Sequence, residues 1–223
     1  MGSRILGVAS LILMIAALYM ALIFAPNEAQ QGTPYRIIYF HVPMGILSFG
    51  SAFLLGFAGI MFLGTRDLKW DRLAIGGAEL GVLCSSCSLI TGSIWAKPIW
   101  GVWWAWDARL TLQLLLGLFF VSYFMLRAYL PDREKRAKLA SVFGILGMID
   151  VPFNYYSIEW WKTQHPQPVF RGGGSIDPDM RLALYVSSLA LGVTCAYLLS
   201  RRLAIAKVEE EVEYLEHVVH AHE

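Results

Sequence analysis

Apolar residues gather into six long runs, at 5–25, 37–63, 73–96, 110–130, 139–155 and 182–199, with short polar connections between them. Each run approaches the roughly 20 residues a helix needs to cross a bilayer. The pattern predicts six transmembrane helices. The first run has only Arg4 ahead of it and no small-residue cleavage site before Pro26, so it reads as a retained helix rather than a signal peptide. The second is longer than a span requires, and Pro43 near its start predicts a kink or the end of an initial turn. The fifth is the shortest. Asp107 precedes the fourth run and Asp177-Pro178-Asp179 the sixth, which suits the free amides and positive dipole of a helix start.

Composition agrees with the pattern. Hydrophobic residues make up 57% of the 223, charged residues 16%, and the mean hydropathy is +0.52. These values describe an all-α integral membrane protein with a membrane domain over 1–202 and a polar tail over 203–223. A net charge of +1 gives no basis for binding nucleic acid. Arg4, Arg66, Lys69, Arg72, Arg127, Arg133, Lys135, Arg136, Lys138, Arg201, Arg202 and Lys207 fall on one side of the six spans. Arg36, Lys97, Arg109, Lys162, Arg171 and Arg181 fall on the other. The positive-inside rule then puts both termini in the cytoplasm and the connections 26–36, 97–109 and 156–181 outside.

One outer connection carries most of the chemistry. Trp100-Gly101-Val102-Trp103-Trp104-Ala105-Trp106-Asp107-Ala108-Arg109 places four indoles within seven residues. Interfacial tryptophans often anchor a helix end, but four in one connection exceed what anchoring needs and suggest a shelf for a planar apolar ligand. Two histidines fall on the same side. His41 lies near the outer end of the second run and His165 in the connection before the sixth. An ionisable group at a membrane edge is a functional candidate, although a hydrogen-bonded structural histidine is the commoner case. Neutral imidazoles on either side of an aromatic shelf suggest the two axial ligands of a haem iron, with Arg109, Arg36 or Arg171 free to pair with propionates.

The stretch Trp100 to Thr111 closely resembles the tryptophan-rich signature of the "WWD" haem-handling proteins. The chain length, six spans, His41-Val42-Pro43 and Trp160-Trp161 followed by His165 resemble the cytochrome c maturation protein C (CcmC) family within that group. One departure is Thr163-Gln164-His165-Pro166, where the family more often has Thr-Leu-His-Gln. The resemblance implies haem b held at the outer, periplasmic face of the inner membrane, with His41 and His165 as axial ligands. It implies that Trp100, Trp103, Trp104, Trp106, Asp107 and Arg109 contact the haem and present it to a periplasmic haem chaperone (CcmE). It also implies ATPase and membrane subunits of an ABC-type complex (CcmA, CcmB, CcmD). This sequence has no GxxxxGK[ST] loop of its own, so ATP hydrolysis falls to such a partner. The resemblance implies a delivery protein rather than an enzyme. A cytochrome b-type membrane oxidoreductase and a haem-translocating subunit are the alternative classes.

Other residues have simpler readings. Cys84-Ser85-Ser86-Cys87 is followed by Ser88, not His, so it is no covalent haem site; on an apolar helix its thiols, like Cys195, read as packing. Glu79, Asp150 and Glu159 are membrane-edge or intramembrane carboxylates. Asp150 has two readings, a partner for Arg109 or Arg181 and a group orienting a ligand histidine. In the tail, Val208, Val212, Leu215 and Val219 recur at helical spacing among glutamates, predicting an amphipathic helix for a partner or the adjacent loops, or a frayed end. His217, His220 and His222 read as surface residues.

Overall fold

Charged residues hide the starts of two helices from a hydropathy reading, and caps reveal them. Asp67 accepts from Lys69 N at 2.9 Å, and Asp132 from Lys135 N at 2.7 Å. Each carboxylate satisfies an amide that its helix leaves free. In a computed structural model, which describes residues 2–166 and 176–220 apart from the side chains at 213, 214 and 216–220, the chain forms six long helices. They are α1 (Gly2–Tyr19, continued by a π-turn at Met20–Phe24), α2 (Ile38–Thr65, entered by a 3-10 turn at Thr33–Ile37), α3 (Leu68–Trp100), α4 (Ala108–Tyr129), α5 (Arg133–Trp160) and α6 (Pro178–His220). All six are long and apolar enough to cross a membrane. The chain is an all-α, multi-pass membrane protein, as its apolar pattern predicts.

The differences from the sequence reading lie at the helix ends. α3 runs to Trp100, so the first tryptophan of the motif is helical, and Gly101 closes the helix at φ +78°, a conformation glycine adopts at little cost. α5 begins six residues before its apolar run, and Pro152 lies inside it. Asp177 caps α6 through Asp179 N (2.8 Å), as the sequence suggests. α6 then passes unbroken through Arg201, Arg202 and the tail to His220. Arg171, His222 and the side chains of Val219, His217 and His220 lie outside the described residues.

Helices α2, α3, α4 and α5 form the core, with α1 and α6 paired beside them. Phe49, Leu55, Leu116, Phe120 and Tyr123 fill the centre. Close approach of α2 to α5 requires small residues: a Cβ on Gly56 would meet Met148 Cβ at 2.5 Å, and one on Gly144 would meet Leu55 Cγ at 2.8 Å. In lipid, such contacts stand in for the hydrophobic drive that water would supply. At the end opposite the tryptophan connection, Arg127 grips Asp71 with two hydrogen bonds of 2.6 and 3.0 Å.

Candidate functional site

At the tryptophan end the helices part around a cavity of about 1060 Å³, large for a small-molecule site. His41, from the second turn of α2, and His165, from the α5–α6 connection, both line it. Their ring centres lie 6.4 Å apart with planes inclined by 37°. His41 Nδ1 is 3.1 Å from the Ser88 carbonyl oxygen and 3.1 Å from Thr91 Oγ1. His165 Nδ1 is 2.9 Å from the Pro166 carbonyl oxygen. A carbonyl can only accept, so Nδ1 of each ring carries the proton and Nε2 keeps a lone pair. Burial is the main force pushing the His165 imidazole down to about 4; the positive charge of Arg109 adds to it, and the Pro166 hydrogen bond opposes it. At neutral pH the ring is therefore uncharged and able to ligate a metal.

Gly92 faces His41 across α2 and α3. A Cβ there would sit 2.9 Å from His41 Cε1, so glycine leaves the imidazole its place. The Trp95 ring meets His41 edge-on at 5.8 Å and Tyr35 at 5.7 Å, and its Nε1 donates to Gln31 Oε1 at 2.9 Å. That bond ties the 26–32 connection over the cavity.

Asp107 supports the other imidazole. One carboxylate oxygen caps α4 by accepting from Leu110 N (2.9 Å). The second accepts from Thr163 Oγ1 (2.6 Å) and Gln164 N (3.1 Å), while Thr163 Oγ1 accepts from His165 N at 3.0 Å. The last residue of the WWD stretch is thus both a helix cap and the anchor of the His165 connection.

The tryptophans divide. Trp100 and Trp104 line the cavity, and the buried Trp104 Nε1 has no hydrogen-bond partner among the described residues. Trp103 and Trp106 are 58% and 77% exposed, outside the cavity wall; Lys97 Nζ lies over the Trp103 ring at 6.0 Å. Arg109 lines the cavity, lies over Phe49 at 5.2 Å, and donates through Nη1 to Asn154 O (2.6 Å) and Oδ1 (2.8 Å). Asn154 Nδ2 donates to Gln113 Oε1 and Gln113 Nε2 to Ser48 Oγ, both at 3.2 Å.

Residues 2–217 match the family model described as "Heme exporter protein C" (CcmC). The chain belongs to that family. The Escherichia coli K12 relative, named "Heme exporter protein C", is 38% identical over 183 residues, covering 80% of this chain and 73% of its own. A Bradyrhizobium diazoefficiens relative of the same name is 36% identical over 192 residues, covering 83% and 71%. An Arabidopsis thaliana "putative cytochrome c biosynthesis ccmC-like mitochondrial protein" is 34% identical over 212 residues, covering 91% and 80%.

In this CcmC-family chain, then, His41, His165, Trp100, Trp104 and Arg109 come together, Asp107 braces them, and Trp103 and Trp106 turn outward. Arg36 is occupied elsewhere: its Nη1 and Nη2 donate to the Ala21 and Ala25 carbonyls at 2.7 Å and its Nε to Asn27 at 3.1 Å, closing the end of α1. Asp150 does not orient either histidine, since backbone carbonyls fill that role; it sits buried one turn before Asn154 with one oxygen unpartnered among the described residues. Glu79 accepts from Arg202 at 2.9 Å. Cys84 Sγ lies 3.9 Å from Cys195 Sγ, a buried packing contact between α3 and α6, and both thiols are free. Trp95, Gln31, Gln113 and Asn154 were not legible as site residues. Each sits inside or beside an apolar run with no spacing that marks it.

Proposed function

We propose that the cavity holds haem b, with His41 and His165 as opposed axial ligands, and that the chain delivers it to a periplasmic haem chaperone of the CcmE kind. The observation that carries this reading is the 6.4 Å between the two imidazole centres. With metal–imidazole bonds of about 2 Å and each ring centre roughly 1 Å behind its ligating nitrogen, two imidazoles opposed across one metal hold their centres about 6 Å apart. Both Nδ1 atoms are already spent on carbonyls, the arrangement that orients a ligating Nε2. Family membership supports haem handling in cytochrome c biogenesis as the setting.

The iron supplies the ligation that two imidazoles complete. The chain's own residues do the rest. Trp95, Trp100 and Trp104 offer apolar faces that exclude water from a flat macrocycle. Arg109 brings a buried positive charge, and Trp104 Nε1 a donor without a partner among the described residues, for carboxylates of the ligand. Trp103 and Trp106, outside the wall, are the surface that meets the chaperone. Because both imidazoles lie at one end of the helices, the arrangement suits a single haem at one membrane face rather than electron transfer between two. The basic connections at the other end support a reading with that end, and both termini, on the cytoplasmic side, and the family setting supports a bacterial inner membrane. ATPase and membrane subunits of a CcmA, CcmB and CcmD kind complete the assembly, driving release.

The test is purification of the chain with and without the chaperone, followed by haem extraction. One non-covalent b-type haem per chain is expected, with covalent haem on the chaperone that disappears in His165→Ala. A chain that carries no haem while the chaperone is loaded normally would overturn the proposal.

A further inference from the structure

The tail of α6 presents an apolar face that the described residues leave uncovered. Ile205, Val208, Val212 and Leu215 follow one another at spacings of three, four and three, the a/d pattern of a heptad, with branched Ile and Val at a and Val and Leu at d. These four side chains are between 48 and 61% exposed. The opposite face of the same helix is the one that meets the rest of the chain. Ala206 is buried there, and Glu210 accepts from Arg72 (2.5 Å) in the α2–α3 connection and from Arg133 (2.6 Å) at the start of α5. Arg202 ties the base of the tail to Glu79 of α3 (2.9 Å). The body thus holds the helix by one side and leaves its apolar seam open. The stretch from Arg202 to Leu215 reaches about 20 Å beyond the arginine pair that ends the span.

The flanks of the seam select its occupant. Positions e and g are Arg202, Ala204, Glu209, Glu211, Glu216 and Val218; Arg202 is taken up by Glu79 (2.9 Å) and Glu209 (3.1 Å), which leaves the flanks net acidic. A second copy, in either direction, would set glutamate against glutamate across the seam, and like charges facing one another destabilise a pairing. An anionic lipid surface would be repelled by the same row. A helix with an apolar a/d seam and Lys or Arg at its flanks would meet opposite charge instead. We infer that the α6 tail is a docking strip for a basic amphipathic helix of a partner protein, on the membrane side opposite the cavity. Glu210, held by two arginines, fixes the strip's rotation so that the seam faces the partner.

Full-length chain in phosphatidylcholine nanodiscs is titrated with two fluorescent three-heptad peptides. Both carry Ile at a and Leu at d; one has Lys at e and g, the other Glu. The Lys peptide is expected to bind at least about tenfold tighter, with the preference shrinking as salt rises. Val212→Asp should abolish binding, and Glu209→Lys with Glu211→Lys should reverse the preference while Glu210 keeps the helix in place. Equal binding of the two peptides, or binding of neither, would overturn the inference. So would disulfide cross-linking of two copies through Val212→Cys, or quenching of a fluorophore on Val208→Cys by nitroxide lipids, since these make a second copy or the membrane the occupant.

Discussion

The Asp107 carboxylate accepts a 2.6 Å hydrogen bond from Thr163 Oγ1, joining the tryptophan connection to the connection that carries His165. Through this bond a residue read from sequence as a helix cap also sets the position of an imidazole 58 residues away in the chain. Asp107→Asn keeps an oxygen for the Leu110 amide but turns an NH₂ group toward Gln164 N, which can only donate. We expect haem content to fall several-fold, consistent with a loss of about 1–2 kcal/mol, while protein abundance changes little. Asp107→Ala should lose the cap as well and destabilise by about another 1 kcal/mol. Haem-to-protein ratio beside thermal stability distinguishes the two; equal haem content in wild type and Asp107→Asn would contradict the bracing role.

Gly92 bears on the other proposed ligand, His41. Its replacement by Ala improves helix propensity, so any loss comes from the 2.9 Å approach of the new methyl to His41 Cε1. The displacement should cost about 1–3 kcal/mol and lower haem retention. Gly50, where nothing lies within 4 Å, gives the control: Gly50→Ala should leave haem content unchanged.

His165 gives a pH signature. Its folded value, about 4, lies below the ordinary 6.5, chiefly because the ring is desolvated by burial. Below 6.5 the unfolded chain binds a proton that the folded site resists, so the folded arrangement is fully favoured above about 6.5 and weakens as pH falls toward 4. In ligand-free protein, the His165 ring protons should titrate near 4 by nuclear magnetic resonance. A midpoint near 6.5 would show the ring to be solvated.

The division of the tryptophans predicts a division of phenotypes. Trp103→Ala with Trp106→Ala removes exposed rings and should lower transfer to the chaperone about tenfold or more with haem content retained. Trp104→Phe keeps an aromatic wall and deletes the indole N–H that has no partner among the described residues, so it should loosen haem binding itself. Haem content and loaded chaperone, measured in the same cells, separate the two effects; loss of protein in both variants would return these rings to a membrane-anchoring role.

Much of this site was legible because its chemistry is concentrated. Two histidines, four indoles and an arginine stand out against apolar runs, and alternate loading of basic residues put them at one membrane end. What stayed hidden was polar and lay within the spans. Gln113, Asn154 and Ser48 are scattered over three helices, and only packing brings them together beneath Arg109. Trp95 looked like one more apolar residue of α3, although it stands against His41. The early start of α5 was masked by Arg133, Glu134, Lys135, Arg136 and Lys138, whose charge suppresses hydropathy without opposing helix formation. Asp107 was read as a cap and, by resemblance, as a haem contact; its bonds to Thr163 and Gln164 form only after α5 brings that connection back to it.

The ligand pair itself is tested most directly by cavity-and-rescue spectroscopy on the haem-loaded protein. His41→Gly and His165→Gly each remove one imidazole and leave space where it stood. We expect a low-spin, six-coordinate spectrum in the wild type, its loss in each variant, and its return when free imidazole is added. Variants whose spectra match the wild type before any imidazole is added would contradict this assignment.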